Sequence, residues 1–91
     1  LSPAEEADLI LDRYPQVSKE AAGALTKVAE ILRLAERRET LSVSLSTRQV
    51  LDAAAYLPLG HRLNEIIEKV ILTNYLITGE ETLARSLVQA L

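Results

Sequence analysis

The chain has 91 residues, 48% of them hydrophobic and 25% charged, with a formal net charge of −3 and no cysteine. Disulfides and thiolate metal sites are therefore excluded, and the acidic balance lacks the electrostatic footprint of a protein that tracks nucleic-acid phosphates. No apolar run approaches the roughly 18 residues a membrane span needs, and the acidic opening is unlike a signal peptide, so the cytoplasm is the expected compartment.

This length supports one domain, residues 1–91, with a single modest core. The chain begins at Leu1 and contains no methionine, which points to a piece of a longer polypeptide. Three tyrosines are the whole aromatic content, so the core is expected to consist of Leu, Ile, Val and Ala packed between helices.

Ser2-Pro3-Ala4-Glu5 carries three agreeing helix-start signals: a capping serine, a proline suited to the first turn, and a glutamate that completes a capping box. Ala7, Ile10 and Leu11 share one face, and Pro15 ends the helix near Tyr14. Ser18 opens a longer helix in which Ala21, Ala22, Leu25, Val28, Ala29, Leu32 and Ala35 recur in steps of three and four, forming one buried stripe. Gly23 weakens it by about 1 kcal/mol against Ala unless another helix packs close. Arg33, Glu36, Arg37, Arg38 and Glu39 read as a solvated, charged end.

Leu41-Ser42-Val43-Ser44-Leu45 alternates with period two. It predicts either a short extended stretch or a connector whose apolar side chains plug the bundle. Ser46-Thr47-Arg48-Gln49 is a second capping box, and Val50, Leu51, Ala54 and Leu57 follow on one face. Pro58-Leu59-Gly60 breaks that helix. From His61 the stripe Leu63, Ile66, Ile67, Val70, Ile71 and Asn74 predicts another. Thr78-x-x-Glu81 reads as a third capping signature before a last helix with Leu83, Leu87, Val88 and Leu91. The fold class is all-α, a bundle of about five helices with a short extended segment near residues 41–45.

No phosphate-cradling G-x-x-x-x-G-K-[ST] loop is present, because Gly23, Gly60 and Gly79 stand far apart. With one histidine and no cysteine the chain shows no metal-ligand spacing, and His61 reads as a solvent-facing residue at a helix start. The chain alone is not an enzyme, and no catalytic residue is assigned.

Arg48 differs. A positive charge in the first helical turn opposes the helix dipole, and local stability would favour Asp or Glu there. A guanidinium at that place can act with backbone N–H groups on a phosphate. The alternatives are an exposed arginine, or one paired with Glu39 or Asp52. Arg13, before Tyr14-Pro15, reads as a favourable charge at a helix C-terminus.

Leu45-Ser46-Thr47-Arg48-Gln49-Val50-Leu51 resembles the start of the lid helix in MoxR-like AAA+ ATPases. That group includes the NorQ, CbbQ and GvpN proteins and the ATPase subunit of cobaltochelatase. Leu1-Ser2-Pro3-Ala4-Glu5-Glu6-Ala7 is similar to the segment after the last core strand of that family, and the order of elements matches in layout. Gly60-His61-Arg62-Leu63-Asn64-Glu65 departs from the pattern. The resemblance implies a lid domain in which Arg48 is the sensor 2 residue on the terminal phosphate, with Arg62 and Thr47 as weaker candidates. It further implies an ATP- and magnesium-dependent parent enzyme, an N-terminal AAA+ core in the same chain, neighbouring subunits of a homo-oligomeric ring, and a client protein. This chain alone would bind no cofactor.

Two rivals stand beside it. One is a helical adaptor whose surface includes Leu72, Leu76 and Ile77, which lie partly off the main stripe. The other is a helix-turn-helix nucleic-acid binder reading with residues 47–57, which the acidic balance opposes.

Overall fold

The computed structural model describes residues 2–90, and the expectation for Leu91 lies outside them. Five α-helical segments and no strand are found among the described residues: α1 Pro3–Arg13, α2 Lys19–Arg37, α3 Thr47–Ala54, α4 Leu63–Ile66 and α5 Glu81–Gln89. The protein is an all-α bundle. No described helix is long and apolar enough to cross a membrane.

The helix starts follow local chemistry. Ser2 accepts the Glu5 amide at 3.2 Å and Glu5 returns to the Ser2 amide at 3.0 Å, a complete capping box. Ser18 accepts the Ala21 amide at 3.1 Å. α2 is the central element and packs against α1, α3 and α5. Its buried positions Ala22, Leu25, Val28, Ala29, Leu32 and Ala35 match the stripe, with Ala21 half-buried. Gly23 is exposed, and a Cβ there would meet nothing within 4 Å, so no close helix packing compensates for it.

Glu39, at φ 62°, ends α2 in the left-handed region. Thr40 N–H donates to Ala35 O at 2.8 Å and Glu39 N–H to Glu36 O at 3.0 Å, so the helix closes on a Schellman motif without the usual glycine. After it, Leu41 and Leu45 are buried and Val43 half-buried, while Ser42 and Ser44 are exposed. The period-two alternation is thus real, but it belongs to a connector that plugs the bundle rather than to a strand.

Two expectations about the C-terminal half are corrected. The helix begun at Leu63 widens into a π turn at Ile67–Ile71 and tightens into a 3₁₀ turn at Leu72–Tyr75. A π turn lags the α-helical step of about 100° per residue, so the inward positions become Ile71, Leu72 and Tyr75. Leu72 is core, not surface. Asn74 is exposed, and its amide donates to the Val70 and Ile71 carbonyls at 3.2 and 2.9 Å. The Tyr75 hydroxyl is buried with no hydrogen-bond partner among the described residues, and burial pushes its pKa up to about 12.

Thr78 does not cap α5. Its hydroxyl donates to Tyr75 O at 3.2 Å, and Gly79 (φ 73°) and Glu80 complete a second Schellman motif through Leu76 O and Tyr75 O. Thr78 therefore ends one helix instead of starting the next. α5 follows Glu80 with no side-chain cap, and its buried residue is Ala84, while Leu83 is exposed.

Candidate functional site

The first turn of α3 is positioned from three sides. Ser46 accepts the Gln49 amide at 3.1 Å, and Gln49 Oε1 accepts the Ser46 amide at 2.8 Å, completing the expected capping box. The Gln49 side-chain amide also donates to Asn74 Oδ1 at 3.0 Å, tying the turn to the helix begun at Leu63.

On the other side stands a residue that the sequence did not single out. Glu6 is completely buried in α1. A buried carboxylate is costly unless it is paired and hydrogen-bonded, and both its oxygens are engaged. Arg33 Nη1 donates to Oε1 and Nη2 to Oε2, each at 2.8 Å, in a bidentate fork, and the Thr47 hydroxyl donates to Oε2 at 2.9 Å. Arg33 Nε donates to Leu45 O at 2.8 Å. Arg33 is therefore not part of a solvated end: its side chain is 18% exposed and its guanidinium bridges α1, α2 and the entry to α3. Arg37 and Arg38 are exposed, as expected of that end. The available sequence signal was a glutamate at Glu6, on the apolar face beside Ile10, with an arginine on the facing stripe.

Arg48 lies between Thr47 and Gln49, and it alone of these three is unengaged. It is exposed, and no hydrogen bond or ion pair joins its guanidinium to Glu39, Asp52 or any other described residue. Its two neighbours are anchored to different helices, so the backbone beneath it is fixed while its guanidinium is free. The first turn of α3 holds no acidic residue to neutralise that charge.

The other candidates are not gathered here. Arg62 is exposed at the start of α4, where its amide donates to Glu65 Oε1 at 3.2 Å, and no hydrogen bond or ion pair joins it to Thr47 or Arg48. Arg13 is exposed in the last turn of α1. His61 is exposed and meets Tyr56 edge-on at 5.6 Å between ring centroids, with Nδ1 3.9 Å from Glu65 Oε1. His61, Tyr56 and Glu65 line a surface pocket of about 230 Å³ that includes none of Arg13, Thr47, Arg48 and Arg62. Among the described residues no three His, Asp or Glu side chains cluster closely enough to share a metal ion.

No family model, curated protein or solved structure matches this chain.

Elsewhere the surface is ordinary in charge and uneven in hydrophobicity. Arg85 forms a fork on Glu68 at 2.8–3.0 Å and reaches Glu81 at 2.9 Å, an exposed clip between the helix begun at Leu63 and α5. Ile77 is 99% exposed and Leu76 56%, side by side at the turn before Gly79.

Proposed function

We propose that this chain is the lid of an AAA+ ATPase and that Arg48 reads the terminal phosphate of bound ATP. The observation that carries the reading is a free guanidinium on a first helical turn whose flanking residues are both tied down. Binding an anion would cost such a group little freedom except that of its own side chain, and a first helical turn can also offer unpaired backbone N–H groups to the same anion. Its cost to the helix makes sense as a functional residue placed against local stability.

In this reading a nucleotide-binding core precedes the lid in the same polypeptide, and the ring places a neighbouring subunit against it in the cytoplasm. Arg48 fits one part of the ligand, the anionic γ-phosphate. Among the described residues no three His, Asp or Glu side chains could share a metal ion, and in this reading magnesium would be bound by the preceding core. ATP hydrolysis removes the phosphate that Arg48 contacts, and the bundle moves as a rigid body to remodel a client. In the full-length protein, Arg48→Ala is expected to depress ATP turnover while this domain stays folded; unaltered turnover removes the role.

The adjacent exposed pair Leu76 and Ile77 supports a second reading, an adaptor that offers this turn to an apolar partner surface without any nucleotide. The two are separated by ATP turnover in Arg48→Ala against partner capture in Ile77→Asp.

A further inference from the structure

We infer that Glu6, Arg33 and Thr47 are positioning residues that set the aim of Arg48, so that movement of α1 is transmitted to the nucleotide sensor. This inference rests on the reading of Arg48 given above. Ser46 is the cap of α3, and the network grips the residue on each side of it: Arg33 Nε on Leu45 O at 2.8 Å, and Glu6 Oε2 on the Thr47 hydroxyl at 2.9 Å. The two grips are not independent, because the same guanidinium that holds Leu45 O also forks onto the Glu6 carboxylate. A shift of α1 relative to α2 must break the fork or carry Thr47 with it. Glu6 lies in the first turn and a half of α1, so the beginning of that helix and the beginning of α3 act as one unit. On the far side the Gln49–Asn74 bond at 3.0 Å supplies the pivot. Arg48, between grip and pivot, turns with them.

Burying this carboxylate against two half-buried partners is not explained by adhesion, since an apolar trio would fill the same space without desolvating charge. A network with directional bonds fixes an orientation, which an apolar contact does not.

Truncating Glu6 or Arg33 strands a buried charge and risks unfolding, so Thr47 is the residue to change. Thr47→Val keeps the shape and removes the donor; Thr47→Ser keeps the donor. Amide exchange in this chain should quicken about tenfold at Gln49 and Val50 in Thr47→Val, with Leu25–Leu32 of α2 unchanged and Thr47→Ser close to wild type. In the full-length protein Thr47→Val should lower ATP turnover about tenfold, Thr47→Ser should recover to within about twofold, and Thr47→Val should add nothing in an Arg48→Ala background. An equal loss in both backgrounds, unchanged exchange at Gln49 and Val50, or normal turnover in Thr47→Val beside a depressed Arg48→Ala overturns the inference alone. Unchanged turnover in Arg48→Ala overturns both the sensor reading and the inference.

Discussion

Arg33 reaches from α2 to clasp the buried carboxylate of Glu6 with two parallel hydrogen bonds of 2.8 Å. The pair joins the two helices at a point where the sequence pattern promised only an apolar stripe and a solvated end. Its energetics are asymmetric: the intact pair adds little net stability, but either partner left alone is a desolvated charge. Arg33→Ala should therefore cost about 3 kcal/mol, and the double replacement Glu6→Leu with Arg33→Met should cost much less. Urea unfolding of the single and double variants checks this, and equal losses in the two would show that the pair is not the source of the effect.

Arg48 should behave in the opposite way to a structural residue. Arg48→Glu places an acid in the first turn of α3 and is expected to stabilise the chain by about 0.5 kcal/mol. The same change should abolish any contact with a phosphate. A thermal melt reads the first effect, and a loss of stability in this variant would mean that the side chain has a partner within the fold.

Three backbone positions respond differently to a change between glycine and a larger residue. Gly23 is exposed inside α2 with free space around it, and Gly23→Ala should stabilise by about 1 kcal/mol. Glu39 occupies the left-handed C′ position at φ 62°, and Glu39→Gly should stabilise by about 0.5–1 kcal/mol. Gly60 sits at φ 93°, so Gly60→Ala should destabilise by about 1 kcal/mol. Chemical denaturation midpoints rank the three, and a stabilising Gly60→Ala would contradict the backbone assignment.

Glu80 gives a pH dependence with a definite sign. Its carboxylate accepts the Ser42 amide at 3.0 Å through both oxygens, and this bond holds its pKa below the ordinary 4.5. A depressed folded-state pKa means the contribution is complete above pH 4.5 and is lost as pH falls through the folded value. Wild type should thus be more stable than Glu80→Gln at neutral pH, and the gap should close on acidification below 4.5. Melting temperatures of both proteins from pH 7 to pH 3 follow it; a gap that stays constant would assign the difference to something other than this titration.

The π turn can be tested through the residues whose burial it changes. Leu72 is 1% exposed, and Leu72→Ala should cost about 3 kcal/mol, whereas Ile77→Ala, at 99% exposure, should stay within about 0.5 kcal/mol. If the two substitutions cost the same, the helix continues with an α-helical phase beyond Val70. Ile77→Asp leaves the fold intact and reports on the adaptor reading through partner capture.

By itself the sequence determined those features that depend on residues within about four positions of one another. The Ser2, Ser18 and Ser46 caps, the stripe of α2, the stop at Pro15 and the period-two alternation from Leu41 to Leu45 are all local, because a cap or an amphipathic face is satisfied within its own turn or two, whereas the choice between strand and connector for that alternation was made by the bundle. It also marked Arg48 as out of keeping with its helix position, since the dipole argument needs no tertiary information. Tertiary structure decided which charges are solvated and which are not. Glu6 and Arg33 are 27 positions apart, and although Glu6 falls on the apolar face of α1 four residues before Ile10, neither neighbourhood names the partner that its burial requires. Nor does periodicity register a π turn, which moves Asn74 outward and Leu72 inward because five residues rather than four close a ring. Thr78 shows the same limit: its spacing to Glu81 suits a cap, but the Schellman closure at Gly79 had already committed it to the preceding helix. Glu6 and Arg33 meet only because the bundle lays α1 against α2, whereas the π turn and the Thr78 closure are choices between competing backbone hydrogen bonds that periodicity and cap spacing do not rank.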